Sequence, residues 1–315
     1  MQPEDMRHIA VIGAGTMGAG IAGEFARAGC QVMLADTSDT RLEQGRARLT
    51  AAQNSLVEAD LLTDAEANAA VDRVRTTLSL EIACADADLV VESISEELQS
   101  KQELFSRLHG ISPSHAVFAS NTSGLSITRI AAACGRPEQV AGMHFWNPPH
   151  VIPLVEVARG QETREDTAAL LLDLARRLGK RPILVRRDVP GFVGNRLQFA
   201  VFREALHILA EGIASAEDID TAMTAGPGLR YGLLGPLRTA DLGGLDVFAA
   251  ISQYLFEDLS VAREPATVLK ELVSAGRLGA KTGAGFYDYT AEERDRLVQR
   301  RDKLLLHILS VSSRS

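Results

Sequence analysis

The sequence predicts an α/β protein in which a mostly parallel sheet domain precedes an all-helical C-terminal domain. Short apolar runs that are typical of buried strands alternate with helical patterns through the first half of the chain. A glycine-rich turn follows the first of these runs. After residue 187 helical patterns dominate, and no clear strand appears before the tail of the segment GAKTGAGFYDY.

Seven segments of the first half have the composition of strands in a sheet covered on both faces. They are HIAVIG from His8, QVMLAD from Gln31, DLVVES from Asp88, AVFAS from Ala116, QVAGMHF from Gln139, PLVEV from Pro153 and PILVRR from Pro182. A helical insertion is expected at residues 40–75, and Thr63 with Glu66 forms a capping-box pattern there. We therefore predict a sheet domain at residues 1–187 and a helical domain at residues 188–315.

The helical half opens with the segment GFVGNRLQFAVFREALHILAEG. Its apolar residues recur at helical spacing over a broad face, which indicates burial in a bundle or an interface. Ser215 followed by Asp218 has the pattern of a capped helix start. The last segment, AEERDRLVQRRDKLLLHIL, is predicted to be an amphipathic helix.

Composition narrows the possible partners. The formal charge is −8 and the basic residues are scattered, so neither nucleic acid nor an anionic membrane is expected as the main partner. Three cysteines without metal-type or redox-type spacing are expected to be buried thiols in a reducing compartment, with no metal site. No signal peptide and no spanning segment is recognisable, so we expect a cytoplasmic protein that binds a small molecule.

The segment HIAVIGAGTMGAGIAGEFARAG combines a strand, a glycine-rich turn and a helix, which is the Rossmann-type pattern for binding a dinucleotide. Gly13 permits the tight turn, Gly15 lets the backbone approach a pyrophosphate, and Gly18 lets the helix pack on the strand. Thr16 and Met17 begin the helix, whose free N–H groups favour phosphate. The alternative is a glycine turn that binds no ligand.

Asp36 ends the second strand, eighteen residues after Gly18. A carboxylate there accepts hydrogen bonds from the ribose hydroxyls and repels a 2′-phosphate, so NAD is favoured over NADP as the cofactor. Arg41 is near enough in sequence to weaken that preference.

Polar residues follow several later strands, where ligands of such sheets bind. Ser123 lies in SNTS, His144 in HFWNPP, and Asn195 in the segment DVPGFVGNRL. An alcohol dehydrogenase needs a base for the hydroxyl proton, and histidine suits that role because its pKa is close to working pH. Glu156 would orient the imidazole of His144, while Ser123 and Asn195 would bind the reacting oxygen.

Each of these residues also has a structural interpretation. His144 could be a buried histidine with satisfied hydrogen bonds, and Glu156 a solvated strand residue. Ser123 and Asn195 could simply cap the helices that follow them. None of these residues alone favours a catalytic role over the structural one, but the four together do.

Together these motifs resemble the L-3-hydroxyacyl-CoA dehydrogenase family over almost the whole chain. The family pattern appears in order as the glycine turn, SNTS, HFWNPP with LVEV, DVPGFVGNR and KTGAGFY. The resemblance implies a Rossmann-like domain, a helical domain that forms a homodimer, and a catalytic pair of His144 and Glu156 with Ser123 and Asn195 at the substrate. It further implies cofactor contacts from Asp36, Glu96, Lys101, Asn147 and Lys281.

Two segments depart from the hydroxyacyl-CoA enzymes, whose insertion carries lysines for the coenzyme A phosphates. Residues 49–72 hold five acids and no Lys or Arg, and an acidic arm is a poor dock for a polyanion. GPGLRYGLLGP is similar to a branch of the family that contains gulonate, carnitine and pyridine-carboxylate dehydrogenases. Arg230 there could bind a substrate carboxylate, or it could pair with a nearby acid at the end of a helix.

The leading hypothesis is an NAD-dependent 3-hydroxyacyl-CoA dehydrogenase of fatty acid metabolism, acting on a short substrate such as 3-hydroxybutyryl-CoA. The alternative is a dehydrogenase of a small CoA-free hydroxy acid. A rival of another class is an NAD-binding protein without activity. A relative of 6-phosphogluconate dehydrogenase is excluded, because the segment GFVGNRLQFAVFREALHI lacks the catalytic lysine of that class.

Overall fold

The computed structural model describes residues 2–312. The strands between His8 and Val185 form one eight-stranded sheet. The strands are β1 (His8–Ile12), β2 (Gln31–Ala35), β3 (Val74–Thr77), β4 (Leu89–Glu92), β5 (Val117–Ser120), β6 (Val140–Phe145), β7 (Leu154–Arg159) and β8 (Arg181–Val185). Their order is β3-β2-β1-β4-β5-β6-β7-β8. All neighbours are parallel except β6 and β7. The predicted fold class is confirmed.

Helices flank the sheet and then make up the rest of the chain. They are α1 (Thr16–Arg27), α2 (Asp39–Glu58), α3 (Asp64–Asp72), α4 (Leu80–Cys84), α5 (Leu98–Ile111), α6 (Ile127–Ala131), α7 (Glu165–Arg177), α8 (Gly194–Ala210), α9 (Ala216–Ala225), α10 (Pro227–Leu234), α11 (Pro236–Gly243), α12 (Leu245–Asp258), α13 (Thr267–Ser274) and α14 (Ala291–Ser312). No helix in residues 2–312 is long and apolar enough to cross a bilayer.

Two apolar cores cover the two faces of the sheet. Ile9 and Val11 of β1 belong to one core, while Ala10 and Ile12 belong to the other. Successive side chains of a strand point to opposite faces, so a strand buried on both sides is apolar at every position. This explains why the first strand is an uninterrupted apolar run.

The predicted insertion is shorter than expected, because β3 begins at Val74. This four-residue edge strand has the sequence VRTT, and its two central residues are exposed. A short polar edge strand carries no apolar pattern, so no local pattern indicated a strand at these residues. The capping box at the start of α3 is confirmed, with Thr63 N donating to Glu66 Oε2 over 2.8 Å and Glu66 N donating to Thr63 Oγ1 over 3.3 Å.

The chain divides into two compact units at positions that differ from the predicted boundary. The first contains the chain up to Arg196 together with the segment from Gln299 onward, and the second is Leu197–Val298. The C-terminal segment belongs to the first unit because Leu306 of α14 is buried against Leu56 of α2 and Val151. The second unit is entirely helical apart from isolated bridges, and Ser215 caps α9 by accepting a hydrogen bond from Asp218 N.

Candidate active site

The glycine turn after β1 has the geometry that a pyrophosphate needs. Gly13 has a φ of +105°, and a Cβ added there would lie 2.4 Å from the carbonyl oxygen of Ser93. A Cβ on Gly18 would lie 1.8 Å from the carbonyl oxygen of Gly13. A Cβ on Gly15, by contrast, would meet no atom within 4 Å. Two glycines therefore allow close packing, and the third borders open space at the exposed start of α1.

Asp36 lies beside this turn, where the ribose of a dinucleotide is expected. Its Oδ2 accepts a hydrogen bond from Ala14 N over 2.8 Å, and its Oδ1 accepts one from Thr37 N over 2.7 Å. The guanidinium of Arg41 lies 3.7 Å from Oδ1. Arg41 thus contacts the carboxylate, as its spacing in the sequence allowed.

His144 and Glu156 form a buried pair across two antiparallel strands. The register of β6 and β7 puts the two residues directly opposite each other, and His144 Nδ1 lies 2.9 Å from Glu156 Oε2. The Glu156 side chain is fully buried, whereas 9 % of the His144 side chain is exposed. The two residues lie on the adjacent strands of a hairpin, so a separation of twelve positions in sequence becomes direct contact.

The protonation of this pair follows from its hydrogen bonds. Burial alone would raise the pKa of Glu156, but hydrogen bonds from His144, Gly194, Val193 and Trp146 outweigh burial and lower it. An ionised carboxylate can only accept, so Nδ1 of His144 carries the proton. In the neutral form of the ring Nε2 then has the free lone pair, and Nε2 has no hydrogen-bond partner among the described residues.

The other carboxylate oxygen of Glu156 holds the start of α8. Oε1 accepts hydrogen bonds from Val193 N over 3.0 Å and from Gly194 N over 2.9 Å. A sharp turn presents these two N–H groups, since Gly191 and Phe192 have φ values of 74° and 49°. Glu156 therefore orients the imidazole and satisfies the first N–H groups of a helix.

Ser123 and Asn195 are brought to the same place by this turn. Asn195 Nδ2 donates to the carbonyl oxygen of Ser123 over 2.8 Å, and Asn195 follows the amides that Glu156 binds. Ser123 is exposed, and no described group bonds its hydroxyl. A chain of hydrogen bonds thus connects the four predicted residues: Glu156 binds His144 and the amide of Gly194, and the next residue, Asn195, binds Ser123.

Comparisons with known proteins identify the family of the chain. Residues 8–189 match the NAD binding domain of 3-hydroxyacyl-CoA dehydrogenase, and residues 191–289 match the C-terminal domain of the same enzyme. The chain belongs to the 3-hydroxyacyl-CoA dehydrogenase family. It is therefore an NAD-dependent oxidoreductase.

Individual relatives fall into two groups. A probable 3-hydroxybutyryl-CoA dehydrogenase of Bacillus subtilis is 41% identical over 90% of this chain and 98% of its own. A 5-formyl-3-hydroxy-2-methylpyridine 4-carboxylate 5-dehydrogenase of Mesorhizobium japonicum is 38% identical over 96% of this chain and 97% of its own. A crystal structure of an enzyme of that second name, described as an NAD+-dependent dismutase, superposes with a TM-score of 0.91 at 36% identity, covering 97% of this chain and 98% of that one.

Glu96 and Lys101 of this dehydrogenase are tied into an internal network. Glu96 Oε1 accepts hydrogen bonds from Thr122 Oγ1 over 2.6 Å and Ser123 N over 2.9 Å. Lys101 is 1 % exposed, and its ammonium group lies between Glu92 at 2.5 Å and Glu96 at 3.3 Å. Glu96 thus anchors the turn that presents Ser123. A direct contact of Lys101 with the cofactor stays a prediction, since its charge is already paired.

Three other predicted residues take no part in the hydrogen bonds described above. Asn147 is exposed in the segment that follows His144. Lys281 and Arg230 are exposed in the second unit, Lys281 in a short 3-10 helix (Ala280–Thr282) and Arg230 inside α10. Within residues 2–312 Arg230 has no ion pair, so the pairing with a nearby acid that its position allowed is not observed.

The site also contains residues that the sequence analysis did not single out. Trp146 Nε1 donates to Glu156 Oε2 over 3.1 Å, and Asn121 Oδ1 accepts from Phe145 N over 2.8 Å. Glu92 is fully buried and accepts from Ser120 Oγ over 2.5 Å. Glu92 could have been recognised from the sequence, because it is a carboxylate at the end of an apolar strand. Trp146 gave no signal, because an aromatic residue beside a strand is also typical of a core.

Proposed function

We propose that the protein oxidises the hydroxyl group of a short 3-hydroxyacyl-CoA, such as 3-hydroxybutyryl-CoA, to the 3-ketoacyl-CoA. The observation that carries the proposal is the free Nε2 of His144, whose opposite nitrogen is held by a buried, ionised Glu156. A general base needs a free lone pair, a fixed orientation and stabilisation of its protonated form, and the pair supplies all three.

The roles of the residues follow from their contacts. His144 Nε2 takes the proton of the substrate hydroxyl, and the Glu156 carboxylate stabilises the imidazolium that results. The Ser123 hydroxyl and the Asn195 side chain, which is fixed by the Ser123 carbonyl, orient the reacting oxygen. NAD, when bound at the glycine turn beside Asp36, supplies the hydride acceptor.

The experiment is to follow NADH formation with 3-hydroxybutyryl-CoA in the wild type and in His144→Gln. Loss of the base is expected to lower kcat by about 10²–10⁴-fold. The affinity for NAD is expected to stay unchanged, because His144 is not part of the glycine turn. His115→Gln is the matched control, since His115 is an exposed histidine that pairs with Asp88. Undiminished turnover in His144→Gln would remove this residue as the base.

A second candidate function is oxidation of a small hydroxy acid that carries no coenzyme A. Three observations favour it: the acidic insertion at residues 49–72, the exposed guanidinium of Arg230 with no ion pair within residues 2–312, and the similarity to the pyridine-carboxylate enzyme over nearly the full length. The last helix, α14, also lies outside the match to the 3-hydroxyacyl-CoA dehydrogenase C-terminal domain, which ends at residue 289. Arginine binds a carboxylate bidentately, which suits a substrate anchor.

The two candidates differ in what they predict for turnover. We expect saturable NADH formation with 3-hydroxybutyryl-CoA under the first, and with free acids such as gulonate, carnitine or a hydroxymethylpyridine carboxylate under the second. Arg230→Met would raise KM for the free acids alone, with Arg263→Met as an exposed control. If NAD binds but no hydroxy substrate of either kind is oxidised, both candidate substrates are wrong.

We further propose that the protein is a homodimer. Helices α9, α10, α12 and α13 contain no buried residue, and large apolar side chains of the second unit are exposed, including Leu233, Leu237, Val261 and Phe256. An apolar surface of this extent needs a partner, and a second copy supplies a matching face. A molecular mass equal to that of a monomer, measured by light scattering, would contradict a homodimer.

A cytoplasmic location is proposed from the three buried free cysteines.

A further inference from the structure

Trp146 is the single tryptophan of the chain, and it contacts both members of the buried pair. Its Nε1 donates to Oε2 of Glu156 over 3.1 Å, the same oxygen that His144 Nδ1 contacts at 2.9 Å. The indole and imidazole rings have centroids 5.5 Å apart and planes inclined by 49°. The two donors therefore share one carboxylate oxygen.

The start of α8 is shaped to hold the indole in this position. A Cβ added to Gly194 would lie 2.3 Å from the Trp146 ring, so a side chain at residue 194 and the indole cannot both fit. The amide of the same glycine donates to the other oxygen of Glu156. The indole, the carboxylate and the beginning of α8 thus form one packed unit.

Sharing an acceptor has a consequence for proton transfer. Each donor to a carboxylate reduces the negative charge that the oxygen offers to the other donor. A carboxylate that serves His144 alone would stabilise the imidazolium more strongly and raise the pKa of His144. A base is most useful when its pKa is close to working pH, because a higher value leaves it protonated before substrate arrives.

We propose that Trp146 is a positioning residue that fixes the Glu156 carboxylate and, by sharing Oε2, keeps His144 a weaker base than the pair alone would make it. The inference rests on the proposed function for its kinetic consequences. The geometry that carries it is independent of the substrate.

Other charged groups on the neighbouring elements already have partners. Glu96 binds the Ser123 amide and Lys101, and Asp188 in the segment between β8 and α8 accepts from Ser126 and Thr128. Arg196 is exposed on α8. Within the described residues no charged side chain other than Glu156 forms a hydrogen bond or ion pair with His144.

The decisive variant is Trp146→Phe, which keeps an aromatic ring and removes the N–H donor. We expect the apparent pKa of the His144 ring, followed by NMR in the free protein, to rise by about 0.5–1 unit, the equivalent of one modest hydrogen bond. The acid limb of kcat/KM should move to higher pH by the same amount, while kcat at high pH changes little. His115 serves as internal control, because its partner is Asp88 and its titration should not move.

A second replacement protects the test against misfolding. Because the chain has one tryptophan, L-3-benzothienylalanine can be incorporated at this single position, and it keeps the bicyclic shape while replacing N–H by sulfur. The same rise in the pKa of His144 is expected. A lower melting temperature with an unmoved His144 titration in both proteins would overturn the inference, leaving Trp146 a packing residue. The NMR titration needs no turnover, so failure of the proposed oxidation would be recognised separately by the absence of NADH formation.

Discussion

Glu156 is the single acceptor that joins the imidazole of His144 to the first turn of α8. One carboxylate oxygen contacts His144 Nδ1 and Trp146 Nε1, while the other accepts from the amides of Val193 and Gly194. All four bonds involve a fully buried side chain, so each donor would be left unpaired if the carboxylate were lost. The chemistry and the local fold therefore depend on the same residue.

Glu156→Gln is accordingly expected to impair both the catalytic chemistry and the stability of the local fold. A glutamine amide has one acceptor oxygen, so its NH2 group must face either the ring donors or the helix amides. We expect kcat to fall at least about 10²-fold and stability to fall by about 1–3 kcal/mol. Steady-state kinetics and urea denaturation measure the two effects. Glu165→Gln, at an exposed position of α7, is the control, and a variant with normal stability and normal kcat would refute the dual role.

Asp36→Ala tests the cofactor preference. The carboxylate contacts Ala14 N at the glycine turn, and its removal takes away an acceptor for the ribose hydroxyls and a repulsive charge against a 2′-phosphate. We expect the Kd for NAD to rise about tenfold, the effect of one hydrogen bond to a charged group, while NADP binding improves relative to NAD. Cofactor titration by fluorescence measures both, with Asp39→Ala in α2 as control. Equal loss for the two cofactors would contradict the assignment.

Much of this arrangement could be predicted from the sequence, because its parts carry strong local patterns. The uninterrupted apolar runs predicted the strands of the sheet. The glycine turn, together with Asp36 directly after β2, predicted where the cofactor binds. The pairing of His144 with Glu156 was a hypothesis from their residue types, and it gained weight from the family resemblance. Their contact depends on the register of β6 and β7, which no local pattern determines.

The parts that could not be predicted depend on contacts distant in sequence. The return of α14 to the first unit is carried by Leu306 packing on Leu56 and Val151, and an amphipathic helix does not indicate which surface it covers. The enclosure of Lys101 is similar, since a lysine in a helix is normally solvated. Only the fold brings Glu92 and Glu96 to its ammonium group.

Asp188 is expected to make stability depend on pH in the acid range. Burial tends to raise the pKa of Asp188, but hydrogen bonds from Ser126, Thr128 and Ile127 at the start of α6 outweigh burial and lower it. Because the folded pKa lies below the unfolded value of about 3.9, the stabilisation is complete above that value. It is lost as the pH falls through the folded pKa.

Asp188→Ala should therefore lower stability at neutral pH by about 0.5–2 kcal/mol, the usual effect of losing a helix cap, and should flatten the loss of stability below about pH 4. Urea denaturation at several pH values measures both. Asp173→Ala is the control, because Asp173 forms an exposed pair with Arg176 within α7. If the free energy of unfolding falls as steeply with decreasing pH in Asp188→Ala as in the wild type, other groups carry the pH dependence.

Lys180 and Glu24 form a buried ion pair that holds the cofactor-binding helix α1 to the segment after His144. The side chains are 5 % and 0 % exposed, and Lys180 Nζ also donates to the carbonyl oxygen of Pro149. Burial lowers the pKa of Lys180, although the charge of Glu24 acts in the opposite direction. Lys180→Met leaves the buried Glu24 carboxylate with the partly exposed Arg27 guanidinium, 2.8 Å away, as its remaining ion-pair partner among the described residues. The loss of stability should therefore be about 1–3 kcal/mol.

The double variant Glu24→Gln with Lys180→Met separates the charge effect from the loss of packing. Because neither buried charge remains, we expect the double variant to be more stable than Lys180→Met alone. Urea denaturation of the wild type, both single variants and the double variant completes the cycle. Arg176→Met breaks an exposed pair and should cost less than about 1 kcal/mol. Additive losses in the double variant would mean that the two side chains stabilise the fold independently, and that the ion pair does not hold α1 in place.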